Sequence, residues 1–159
     1  MHFNGKSKKV LAIVGLAGAA AVITVGAAFA ITSTVLADSN TVNDGKFQPH
    51  HGIIKLKTKG SVRIRDVQTT GAPPGFSSGW HTHPGPVLVA MTPTSAGSLT
   101  LYDERCRPTT IGANQSYIEK PNSPIIARNE SAGDAEWVTT MILPVGHLHT
   151  TPVDAPCNP

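Results

Sequence analysis

The chain has 159 residues, enough for one domain of ordinary size and some leader sequence. Charged residues make up only 14%, while Gly and Pro number 15 and 13. The formal charge of +3 is matched by three lysines ahead of the first apolar run, Lys6, Lys8 and Lys9, so the remainder is formally neutral. That balance argues against nucleic-acid binding, which needs a net basic face.

Val10 to Ala37 carries no charge. A basic start, an apolar middle and small residues at the end have the layout of a signal sequence. Ala28-Phe29-Ala30 and Val35-Leu36-Ala37 both fit the small-x-small cleavage rule, and the second is preferred because polar DSNTVNDG follows it. The alternative is an uncleaved helical anchor, since the 22 uncharged residues from Val10 to Ile31 can span a bilayer. Both readings put the domain outside the cytoplasm, secreted or tethered to the outer face of the membrane. Membrane contact is expected only through that segment.

The expected order is leader or anchor over 1–37, linker over 38–51, β-domain over 52–147 and Pro-rich tail over 148–159. GIIKLKT and SVRIRDVQ alternate apolar and polar residues, which predicts half-buried strands, with Val62 and Ile64 inward and Val67 a further candidate. Lys55, Lys57 and Lys59, and likewise Arg63 and Arg65, read as a solvated sheet face. TTGAPPGFSSG is a loop by its glycines and prolines. WHTH, VLVAM and SLTLYD follow as strands, the last two joined by the hairpin connection TPTSAG. ERCRPTTIGAN reads as a loop, then QSYIE, PIIARN and AEWVTTMIL as strands. No helix-period segment occurs outside the leader. Short strands with turn signals between them indicate an all-β barrel, jelly roll or sandwich. Trp80 precedes both cysteines, unlike the spacing of an immunoglobulin domain, which favours the barrel or jelly roll. In an exported domain Cys106 and Cys157 are expected to form one disulfide that ties the tail back, and no CxxC suggests redox chemistry.

His81 and His83 stand at i and i+2, so on a strand they present two imidazoles on one face, a common start of a metal site. The surrounding GFSSGWHTHPGPVLV resembles the first motif of the cupin superfamily: Gly75, five residues, then His81-Thr82-His83. GANQSYIEKPNSPIIARNES resembles the second motif, with Gly112 at its turn and Asn129 at its end, and ILPVG is similar to the finish of small secreted bacterial cupins. The likeness runs over residues 50–147. It implies a cupin-like jelly-roll β-barrel with the site inside, and it makes a homodimer plausible.

The same resemblance implies three histidines and a glutamate around a metal. The glutamate would fall at 87 or 88, which are Val87 and Leu88. The third histidine would fall at 125, with a further one at 123, and these are Ile125 and Ser123. His147 and His149, or His50 and His51, are candidates to replace a lost ligand from tail or arm. Tyr102, Tyr117, Glu119 and Arg128 are candidates to face the barrel interior; Arg128, beside Asn129, is a candidate clamp for a carboxylate, with Tyr102 as a second ligand contact. The reading is an exported cupin-like protein binding a small molecule of unknown identity. Its metal site, for one divalent Fe, Mn, Zn, Ni or Cu ion, is weakened, and a site with no cofactor is equally compatible. The first alternative is a metal-dependent oxygenase or isomerase using His81, His83 and a substitute ligand. The second is a non-catalytic structural or interaction domain. Whether the protein is an enzyme stays open at this point.

Overall fold

The computed structural model describes residues 31–42, 46–47 and 56–159. The leader up to residue 30 and half of the linker, His50 and His51 included, lie outside the described residues. Among the described residues twelve strands follow in chain order. They are β1 (Thr32–Asn40), β2 (Lys46–Phe47), β3 (Leu56–Lys57), β4 (Val62–Ala72), β5 (His81–Thr82) and β6 (Val87–Met91). The rest are β7 (Leu99–Tyr102), β8 (Pro108–Ile111), β9 (Ser116–Glu119), β10 (Ile126–Arg128), β11 (Ala135–Pro144) and β12 (Thr151–Pro152). No α-helix occurs among them.

Five strands make one antiparallel sheet in the order β1-β4-β11-β6-β9, and three make a second in the order β10-β7-β8. Two short ladders, β5 with β12 and β2 with β3, complete the pairing. Neighbours in the large sheet are far apart in sequence, so the chain crosses repeatedly between two walls, as a jelly roll requires. Side chains from both walls meet in one core. The alternation in the sequence shows why: Val87, Val89 and Met91 of β6 point inward, while Leu88 is left on the outside. Trp137, Met141 and Leu143 do the same on β11, and all pack with Leu99, Leu101 and Ile111 of the opposite wall. Each such buried side chain contributes roughly 1.5–3 kcal/mol. Gly85 lets the chain pass from β5 to β6 against β11, since a Cβ there would sit 1.8 Å from the Ile142 carbonyl oxygen.

Three inward rows cross the large sheet. The first runs Ser33, Thr69, Trp137, Met91 and the second Val35, Val67, Thr139, Val89, Tyr117. The third runs Asp38, Arg65, Met141, Val87, Glu119. Ser33 and Val35 have odd numbers and Asp38 an even one. They share a face because a bulge between Val35 and Ala37 inserts one residue and shifts the phase of the strand.

Four features differ from the sequence reading. Thr32 to Ala37, assigned there to the end of the leader, and Asp38 to Asn40, assigned to the linker, together form β1 on the edge of the sheet. Arg65 does not lie on a solvated face: with Val67 and Thr69 it lines the interior, while Val62 and Ile64 take the other side of β4. Alternation in one strand defines two faces without saying which is inner, and here Asp38 supplies the charge that lets arginine be the inward residue. The loop ERCRPTTIGAN contains β8, and the tail contains β12. Both are short and rich in Thr and Pro, so neither shows a periodic apolar pattern.

Candidate functional site

The barrel encloses a cavity of about 360 Å³ lined from both walls and from the tail. His81 and His83 enter it from β5 and the residue after it, and the two rings meet edge to face with centroids 4.8 Å apart. Each imidazole is held at Nδ1 by a backbone carbonyl. His81 Nδ1 donates to Gly79 at 2.9 Å, and His83 Nδ1 donates to His149 at 2.5 Å. A carbonyl can only accept, so both rings carry a proton on Nδ1, and in the neutral form each has its Nε2 lone pair available to a metal. Gly79 makes its contact from a left-handed backbone, φ +71°, where a side chain would be strained.

Glu119, at the end of β9, completes the group. Its Oε2 lies 3.2 Å from His83 Nε2, and the ligand atoms of His81, His83 and Glu119 all fall within 4.8 Å of one another. Both Glu119 and His83 are buried. Glu119 Oε2 is shielded from water and makes no aligned hydrogen bond among the described residues, although it stands close enough to His83 for an ion pair. A buried carboxylate oxygen so placed is strongly biased toward a cationic partner.

The histidines titrate in opposite directions. Burial disfavours the charged form of His83, but the Glu119 carboxylate and the His149 carbonyl outweigh it and raise its pKa above the ordinary value. Burial, reinforced by the charge of His83, lowers His81 against the pull of the Gly79 carbonyl and Glu119. His149 is also lowered, by burial first and then by the charge of Arg65.

The structure brings some of the expected residues together and not others. His81 and His83 converge, and Cys106 and Cys157 form a disulfide. His149 reaches the site, but its main contribution is the carbonyl that fixes His83, with its side chain on the cavity wall. His147 is exposed, its Nδ1 donating to the Val145 carbonyl. Arg128 and Tyr102 lie outside the cavity lining. Arg128 donates to the Pro159 carbonyl at 2.9 Å and stacks over the Tyr102 ring, whose hydroxyl donates to Glu130. Ile125 is buried directly across the ladder from His81, so that position is apolar packing.

Glu119 is the residue whose role the sequence did not reveal. Its cross-strand partner is Val87, one of the two positions where the cupin motif implies a glutamate. Directly opposed side chains have Cβ atoms about 4.5–5.5 Å apart, so a carboxylate lost from one strand is supplied by its neighbour. The available signal was the shared face of Tyr117 and Glu119 in QSYIE, but not which strand lay beside it.

No protein-family profile and no curated protein sequence matches the chain. Solved structures do. An uncharacterised conserved protein with a double-stranded β-helix domain from Klebsiella pneumoniae aligns with a TM-score of 0.51 at 15% identity, covering 78% of this chain and 84% of that one. A cupin superfamily protein from Desulfitobacterium hafniense aligns with a TM-score of 0.50 at 9% identity, covering 72% and 78%. The chain therefore has the double-stranded β-helix, the cupin fold, as the likeness of its two motifs implied.

The donor set fits a metal. Two ligand atoms each bound at about 2.1 Å, at angles between square and tetrahedral, stand roughly 3.0–3.4 Å apart, which includes the His83–Glu119 distance. Both imidazoles already have the outer-sphere partner that metal-binding histidines usually have. The 4.8 Å limit on the full group asks for a small inward movement when an ion binds.

Proposed function

We propose that the protein binds one divalent transition metal on His81, His83 and Glu119 and a small molecule in the cavity beside it. The observation that carries this is the buried Glu119 carboxylate facing two imidazoles whose Nδ1 protons are fixed by backbone carbonyls. Two histidines and one carboxylate leave coordination positions open, which distinguishes catalytic and ligand-binding sites from closed structural ones. Bound there, the metal would act as a Lewis acid on a ligand oxygen. The chain's own residues then have clear tasks. Nε2 of each histidine and the Glu119 carboxylate hold the ion, and the carbonyls of Gly79 and His149 keep the rings in register. Phe76, Trp137 and Leu101 keep that side of the cavity apolar. The same proposal places the barrel outside the cytoplasm, supported by the lysine-led apolar leader and by a disulfide suited to an oxidising compartment.

The test is elemental analysis of the chain after loading with Fe, Mn, Ni, Cu or Zn and washing without chelator. About one ion per chain, lost in the His81→Ala/His83→Ala variant and weakened in Glu119→Gln, is the expected result. No ion above trace after loading would leave His83 and Glu119 as a buried ion pair and sink the metal reading.

A further inference from the structure

The cavity is polar at one end and apolar at the other. Arg65 and Glu119 stand on one row of the large sheet, with His81, His83, His149 and Thr150 around them. Trp137 and Thr69 stand two rows deeper, about 13 Å along the strands from the Arg65 row. Phe76, Val67, Val89, Leu99 and Leu101 join Trp137 in lining the apolar part.

Arg65 is the only Lys or Arg on the cavity wall, and Glu119 the only acid, among the described residues. Arg65 is not fully matched in charge. Its Nη1 donates to Asp38, but Asp38 also accepts from two nitrogens of Arg63, Nε to Oδ1 and Nη2 to Oδ2, each at 2.5 Å. Two guanidiniums thus share one carboxylate. Arg65 Nε is buried and has no hydrogen-bond partner among the described residues. A buried cationic donor without an acceptor is costly. Glu119 at the same end offsets the surplus guanidinium charge, and a divalent ion on the three ligands would restore a positive excess there.

We infer that the cavity's ligand is a small carboxylic acid with an apolar aryl or branched-alkyl body, its carboxylate facing Arg65 and its body against Trp137 and Phe76. This deepens the small-molecule reading above and rests on it. The volume of about 360 Å³ suits a compact ligand of that kind. A neutral molecule would leave the charge of Arg65 half answered, and a purely polar one would leave the apolar end wet.

The probe is a panel of phenylacetate, benzoate and 4-methylpentanoate against the matched amides. Binding to the zinc-loaded full chain is followed by calorimetry, and zinc is measured on the same samples. The carboxylates are expected to bind at least about tenfold tighter than the amides, the worth of one charge-assisted hydrogen bond. Arg65→Gln should remove that preference and Arg65→Lys keep part of it, both with zinc content unchanged. Arg63→Gln, which leaves Asp38 to Arg65 alone but does not touch the cavity, should weaken the preference less than Arg65→Gln does. Thermal unfolding checks that the variants are folded. Equal binding of acids and amides, a preference that survives Arg65→Gln, an equal loss in Arg63→Gln, or no binding by any panel member would each overturn the inference. Zinc retained without any carboxylate preference would defeat this inference alone. Carboxylate binding that depends on Arg65 without bound zinc would defeat the metal reading alone.

Discussion

Changing Glu119 to glutamine keeps the shape of the side chain and removes the charge that faces His83. Outer-sphere partners alone are worth about 10–100-fold in metal affinity, so losing an ionised ligand should cost at least about 100-fold. Chelator competition with zinc measures this, and His147→Ala, on an exposed loop, should leave the affinity as it was. Undiminished binding in Glu119→Gln would show that the ion sits elsewhere. The two histidines were legible in the sequence because a strand puts i and i+2 on one face whatever its neighbours are. Glu119 was not, because its place opposite Val87 is a matter of register between strands separated by a hairpin and a loop. Arg65 was misread for a related reason: nothing local to SVRIRDVQ says that Asp38 will stand across from it.

Among the elements, β1 has the most to add. It is exposed along its whole length and bonded only to β4, yet its Ser33 and Val35 form part of the cavity wall. A leader cut after Ala37 would remove Thr32 to Ala37, six of its nine residues, and open that wall. A cut after Ala30 leaves the strand whole. If the leader is removed on export, the released chain is therefore expected to begin at Ile31, which intact-mass measurement decides; a chain beginning at Asp38 would contradict it. Asp38 also sets a pH limit on β1. Its hydrogen bond from Arg63, helped by Arg65, lowers its pKa from 3.8 to about 2. A depressed carboxyl stabilises the fold above its ordinary pKa, and that contribution disappears as pH falls through the folded value. Amide exchange in β1 should therefore speed up between about pH 4 and pH 2 ahead of β11, and Asp38→Asn should show the faster exchange already at neutral pH. Equal protection of β1 in the variant would mean that the ladder alone holds it. β6 and β11 were legible because they are buried on one face and alternate cleanly. β1 was hidden by its position next to the apolar leader, and β12 is made by pairing that a single sequence does not display.

Over the whole molecule, the tail acts as a strap across the site. β12 pairs with β5, so Thr151 and Pro152 lie beside Thr82 and His81, and the His149 carbonyl just before them fixes His83. Two anchors hold the far end: the Cys106–Cys157 disulfide, bridging 51 positions, and the Arg128 bond to the Pro159 carbonyl. Closing a loop of that length restricts the unfolded chain by roughly 4 kcal/mol in the chain-entropy account. The Cys106→Ala/Cys157→Ala variant should lose stability of that order in denaturant. It should also lose metal affinity by about 10–100-fold, although no ligand has been touched, because a loosened strap no longer orients His83 through Nδ1. The two effects separate cleanly, since zinc binding can be measured where the variant remains fully folded. Reduced stability with full zinc affinity would mean that β12 holds the strap without the disulfide. Loss of both would make the tail part of the site, which ties the Cys106 loop on one wall to the ligand geometry on β5.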